Sequence, residues 1–271
     1  MESIRVLFIG DVVGEPGQEV IARHLPELRR KHAIDMTILN GENSSNQGRG
    51  ITPKIAQAFY KNGVDVITTG NHIWFRREIY PYLDEQPNLL RPANFPSGAP
   101  GRGVTTVTIK GHTVAVINLQ GRVFMREHVD CPLKAADSIL TYLRDKTKII
   151  FVDYHAEATS EKVGLAFYLA GRISGLVGTH THVQTADERI IPGGTGYITD
   201  LGMVGSLNSM LGMQKDSILQ NFLTQIPVKF TVDLNPPYVL SGVIMEVDTN
   251  TGQTIKIDRV RLIDEHPVEQ A

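Results

Sequence analysis

Residues 173–182 read Ile-Ser-Gly-Leu-Val-Gly-Thr-His-Thr-His. A short apolar run, 173–177, stops at Gly178 and is followed within five residues by two imidazoles, His180 and His182. In an extended segment, residues two apart point to the same side, so the spacing predicts that both rings face one site. The same arrangement recurs upstream. Residues 149–152 lead into Asp153-Tyr154-His155, 64–68 into Thr69-Gly70-Asn71-His72, 34–39 into Asn40-Gly41-Glu42-Asn43, and 4–9 into Gly10-Asp11. With 114–119, these runs are short, rich in β-branched residues and bounded by turn formers, which is how strands buried on both faces read.

Helical patterns lie between the runs. The clearest covers 52–62, with Thr52 as N-cap, Pro53 in the first turn and Gly63 beyond the end. Residues 132–145 and 160–171 are further helices. Pro26 predicts a kinked or divided helix over 17–31. Strand alternating with helix implies a parallel or mixed sheet covered on both faces. The last third changes character: 228–234, 239–248 and 254–263 read as strands, and Asp248-Thr-Asn-Thr-Gly252 as a tight antiparallel connection between the last two. No linker or repeat interrupts the chain, and the Pro- and Gly-rich stretch 94–103 reads as an ordered surface loop. A single domain over 1–271 is expected.

Composition narrows the function. The chain has 271 residues, 41% of them hydrophobic, with 27 Lys+Arg against 29 Asp+Glu and a formal net charge of -2. It therefore lacks the cationic excess of a general nucleic-acid or anionic-membrane binder. No apolar run approaches the roughly 18 residues that span a bilayer, and the N-terminus shows no signal pattern, so the expected compartment is the cytoplasm, with no membrane partner. A lone cysteine, Cys131, permits neither an internal disulfide nor a thiolate metal cluster.

Ligand-type side chains thus stand at the carboxyl ends of five strands, which is where parallel sheets bind ligands. Asp11, Glu42, Asn43, Asn71, His72, His155, His180 and His182 offer oxygen and nitrogen without sulfur, a set suited to Mn, Fe or Zn rather than Cu(I) or Ca. His24, His32, His112, His128 and His266 sit in no such setting. Arg49, Arg76 and Arg126 read as solvated in preference to phosphate-binding. No Glu is followed three residues later by His, which excludes the di-iron bundle pattern, and no Gly-x-x-x-x-Gly-Lys-Ser/Thr loop is present.

The ordered series Gly10-Asp11, Gly41-Glu42-Asn43, Gly70-Asn71-His72, His155 and Gly178-Thr-His180-Thr-His182 resembles the calcineurin-like metallophosphoesterases, and within them the bacterial YmdB-type branch, over roughly residues 4–205. The resemblance implies an α/β fold in which two mixed sheets pack face to face as a four-layer α/β/β/α sandwich. It also implies two metal ions, Fe or Mn ahead of Zn: Asp11, Glu42, Asn43 and His182 hold one, and Glu42, Asn71, His155 and His180 hold the other. Two departures from the superfamily stand out. Val13 occupies the place of an expected histidine, with Asn43 implied as the replacement donor, and the bridging carboxylate is Glu42 instead of Asp. His72 is implied as general acid. The implied activity is a metal-dependent phosphodiesterase acting on a small-molecule diester such as a cyclic nucleotide, or on short RNA-like substrates. A non-catalytic metal- and nucleotide-binding regulator is the alternative, and His72 weighs against it because a purely structural metal site has no use for another titratable group. Homo-oligomerisation is expected from the base rate for soluble enzymes and from the antiparallel C-terminal strands.

Overall fold

The computed structural model describes residues 2–267. Its first half contains β1 (Ser3–Ile9), β2 (Asp11–Val12), α1 (Gly14–Lys31), β3 (Met36–Asn40), α2 (Pro53–Lys61), β4 (Val66–Thr68) and α3 (Ile79–Glu85). Next come β5 (Val104–Ile109), β6 (His112–Gln120), α4 (Pro132–Leu143), β7 (Ile149–His155), α5 (Thr159–Leu169) and β8 (Gly175–Thr179). The remainder holds β9 (Arg189–Ile191), β10 (Thr195–Ile198), β11 (Met203–Ser206), α6 (Lys215–Thr224), β12 (Tyr238–Asp248) and β13 (Thr254–Asp264).

Two mixed sheets result. In the first, β1, β3 and β4 run parallel, and β1 pairs antiparallel with β12, which in turn pairs with β13 and β11. The second has the order β5-β6-β7-β8-β10-β9, parallel from β6 to β10 and antiparallel at both edges.

The continuous apolar runs are explained by burial on both faces, and the two-residue period decides which core each side chain joins. Along β1, Ile4, Val6 and Phe8 enter the layer between the sheets while Leu7 and Ile9 pack under α1 and α2. Along β7, Ile149 and Phe151 enter the same central layer, whereas Ile150 and Val152 pack against α4 and α5. Phe8 meets Phe151 edge-on across the sheets, with centroids 5.1 Å apart. The layers are therefore helix, sheet, sheet, helix, as the resemblance implied.

Helix α2 begins as its sequence dictates: the Thr52 hydroxyl accepts from the Ile55 amide at 3.3 Å. Two expectations are corrected. Helix α1 runs from Gly14 to Lys31 with Pro26 inside it and is not divided there, because Pro26 lies on the exposed face, where the carbonyl deprived of a partner meets water. Residues 228–234 form no strand; only Val232 makes an isolated bridge, to Met213. The edge beside β11 is already taken by β12, so this segment pairs instead with the loop before α6, through Gln214 N to Thr231 O and Asp233 N to Gly212 O.

Candidate metal centre

The carboxyl ends of β1, β3 and β4 from one sheet meet those of β7 and β8 from the other, and the ligand-type residues collect there. Around the His155 Nε2 atom lie the Asn71 Oδ1 at 3.0 Å, the His180 Nδ1 at 3.0 Å and the Glu42 Oε1 at 3.2 Å. A tetrahedral ion with bonds of about 2.0–2.1 Å sets its donors roughly 3.3 Å apart, and the three separations from the His155 Nε2 are close to that spacing. Glu42, His155 and His180 stand out as the cluster able to hold an ion among the described residues. Gly70 lets the chain pass this close, since a Cβ there would collide with the His155 ring and the Glu42 carboxylate.

Asp11 lies on the other side of His155, its Oδ1 3.8 Å from the His155 Nδ1. Its Oδ2 accepts from the His180 amide at 3.1 Å, but Oδ1 is buried with no hydrogen-bond partner. A buried carboxylate oxygen with no hydrogen-bond partner is what a cation-binding site presents. His182 Nε2 lies 3.0 Å from the Asn43 Nδ2. The Asn43 oxygen is turned to the His72 Nδ1 at 2.6 Å, and its nitrogen also reaches Glu42 at 3.2 Å. A half-turn about Cβ–Cγ exchanges the two amide atoms and would present oxygen to His182.

The electrostatics hold Glu42, His180 and His182 in the forms that ligate a cation, whereas Asp11 and His155 must give up a proton to join them. Burial pushes the Asp11 carboxyl well above its usual value, despite the pull of His155. Burial also opposes ionisation of Glu42, yet the charge and hydrogen bond of His155 outweigh it and hold Glu42 low. The same pair works against burial on His155 and raises it to about 9. Burial and the neighbouring His155 push His180 down to about 3, and burial lowers His182, so both keep a free lone pair.

One geometric expectation is corrected. His180 and His182 do not lie on an extended segment: β8 ends at Thr179, and the two histidines take φ values of 101° and 64°. Their rings reach the site through a left-handed turn, not through strand alternation, and such backbone is retained where the surroundings over-determine it. Here the determinant is the fully buried pair Lys162–Asp200 at 2.7 Å, with the Asp200 Oδ2 also accepting from the Thr181 amide. Loss of either partner would strand a buried charge at a cost of about 3–5 kcal/mol.

Sequence reasoning missed the residues that orient the candidate ligands. The His155 Nδ1 meets the Thr179 hydroxyl at 2.9 Å, and that hydroxyl donates to Asp153 at 2.7 Å, which keeps Nε2 pointed inward. Glu157 lies 3.1 Å from the His180 Nε2. Asp153 carried a signal in its place at a strand end beside His155; Glu157 carried none. Of the arginines, Arg76 donates to Ser45 at 3.0 Å, Arg49 lies over the Phe75 ring, and Arg126 is exposed. His24 and His266 bind Asp264, and His112 pairs with Glu2. None of these three takes part in the cluster.

Comparisons with known proteins bear on the family and the fold. A family model described as YmdB-like protein matches residues 7–260. A 2',3'-cyclic-nucleotide 2'-phosphodiesterase of Bacillus subtilis is 48% identical over 263 residues, 97% of this chain and 98% of that one. A crystal structure described as a novel phosphatase, from Mycoplasma pneumoniae, superposes with a TM-score of 0.92 at 33% identity over 98% of this chain and 96% of that one. A 5'-nucleotidase structure from Staphylococcus aureus, at 16% identity and a TM-score of 0.64 over 98% of this chain and 55% of that one, shares the fold alone.

Proposed function

The chain belongs to the YmdB-like protein family, and on that footing we propose that it is a metal-dependent phosphodiesterase that hydrolyses cyclic nucleotides, 2',3' or 3',5', or short RNA-like diesters. The observation that carries this reading is the convergence of Glu42, Asn71 and His180 on the His155 Nε2 within 3.2 Å. The name of the Bacillus subtilis relative supports the diester class.

In this reading Glu42, Asn71, His155 and His180 hold one ion, and Asp11, Glu42, His182 and the half-turned Asn43 hold a second. Iron or manganese suits the mixed oxygen and nitrogen donors, and zinc is compatible. When bound, a pair of divalent ions supplies a hydroxide at near-neutral pH and positive charge for the phosphoryl oxygens. The protein's own part is orientation and proton delivery. His72 has its Nδ1 engaged by the Asn43 amide in either orientation and its backbone amide on the Glu42 Oε2 at 3.1 Å. Its Nε2 is therefore the atom left to protonate the departing oxygen.

We take the chain as one domain, since the central core draws on both sheets. We place it in the cytoplasm, because one cysteine needs no oxidising compartment. Among the described residues no helix is long and apolar enough to cross a membrane.

The deciding experiment compares bis(4-nitrophenyl) phosphate with 4-nitrophenyl phosphate after chelation and after adding back Mn²⁺, Fe²⁺ or Zn²⁺. Restored diesterase activity exceeding monoesterase activity is expected. Monoester preference would overturn the substrate class, and inactivity with two ions bound would make the protein a binding regulator.

We also propose self-association through α6, whose Leu219, Phe222 and Leu223, with Ile226 just beyond, form an exposed apolar stripe. Residues 217–228 carry no charge, so two copies can oppose the same stripe without like-charge repulsion. Light scattering should give an oligomer for the native chain and a monomer for Phe222→Glu/Leu223→Glu; a monomeric native chain refutes the idea.

A further inference from the structure

We propose that Phe75, backed by Arg49, is the platform on which the nucleobase of the substrate stacks; this rests on the phosphodiesterase reading above. Immediately after His72 the chain makes a 3-10 turn, Ile73–Phe75. Ile73 is buried, and Trp74 packs edge-on against Tyr80 and Phe95. Phe75 alone of the three turns outward and is 53% exposed. Held by its contacts with His72 and Arg49, the half-exposed ring offers a ligand a rigid apolar face.

The ring's position selects the ligand. Phe75 stands perpendicular to the His72 imidazole, with centroids 5.1 Å apart. His72 is the group assigned to the departing oxygen, so Phe75 lies on the leaving-group side of the reaction. In a 2',3'-cyclic nucleotide opened at the 2' position, that oxygen stays on a sugar still esterified through its 3'-oxygen, and the base is borne on the carbon next to the one carrying the 2'-oxygen. A base one carbon away from the departing 2'-oxygen is brought toward the Phe75 ring.

Arg49 completes the platform. Its guanidinium carbon lies 5.5 Å from the Phe75 centroid, and an arginine plane also stacks on bases. The loop that carries it is fixed at both ends: Ser45 N donates to Gly50 O at 2.9 Å, the Ser45 hydroxyl donates to Arg49 O at 2.6 Å, and Arg76 donates to that hydroxyl at 3.0 Å. Arg76 follows Phe75 directly, so the same hydrogen bonds join the two loops. Stacking reads the π-face common to all bases, and the platform accordingly predicts a preference for bearing a base with little preference among bases.

The test compares adenosine 2',3'-cyclic phosphate with methyl riboside 2,3-cyclic phosphate, which lacks the base, following ring opening by phosphorus NMR on the metal-loaded full chain. The native protein is expected to show a KM about tenfold or more lower for the nucleotide. Phe75→Ala should bring the KM ratio close to one, with the kcat ratio little altered, and Phe75→Trp should restore it. An unchanged ratio in Phe75→Ala overturns the platform. A kcat loss equal on both substrates also overturns it, because the ring would then act by positioning His72. Inactivity of the native protein on both diesters refutes the phosphodiesterase reading, and the platform falls with it, whereas activity on the base-free ring alone refutes only the platform.

Discussion

His72→Ala is expected to cut diester turnover by about 10²–10⁴-fold, the usual worth of a positioned general acid, while elemental analysis finds metal content close to the native protein. The imidazole is partly exposed and its Nδ1 is taken by the Asn43 amide at 2.6 Å, so truncation removes the outward Nε2 without removing a donor from the cluster around His155. The contact that reaches Glu42 most directly is made by the His72 backbone amide at 3.1 Å, which alanine retains. A leaving group that departs readily without protonation, such as 4-nitrophenolate, should show a smaller loss than a sugar alkoxide. Metal lost in step with activity would instead make His72 a ligand and leave the proton donor to be sought elsewhere.

His155→Ala is expected to have the largest effect of all. Asn71, His180 and Glu42 all point at its Nε2, so the change removes the shared centre of the cluster. Activity should fall well beyond the roughly 10–100-fold that loss of a ligand's outer partner brings, together with about one ion per chain. Glu42 would then be a buried carboxylate without the imidazole that holds it ionised, so the chelated variant should also be less stable than the chelated native protein. Asn71→Ala gives a second measurement on the same ion without stranding that charge, and full metal retention in both variants would refute the assigned ligand set.

Much of this arrangement was legible in the chain because local rules applied. The strands that carry the candidate site are buried on both faces, so their apolar runs are unbroken and the residues that end them are conspicuous; Asp11, Glu42, Asn71, His155 and His180, which the fold brings together, all stand out in this way. Helix α2 announced its own start through Thr52 and Pro53, and the β12–β13 hairpin its turn through Asp248 and Gly252, whose roles depend on neighbours within a few residues.

The readings that failed depended on distant parts of the chain. Residues 228–234 alternate as a strand does, but the pairing edge was already filled by β12. Pro26 sits within a helix because its side of the helix faces water, which only packing decides. The fold likewise placed Glu157 beside His180, joined Thr179 to Asp153 behind His155, and bent the His-Thr-His segment over the buried Lys162–Asp200 pair. The sequence by itself determined the strands that lead into the candidate site and which chemical groups stand at their ends, since burial period and turn propensity act over short distances. Only the tertiary structure decided how those groups face one another, which atom of each is free, and which aromatic ring remains exposed beside them, because the competition for burial and for hydrogen bonds is settled between segments far apart in the chain.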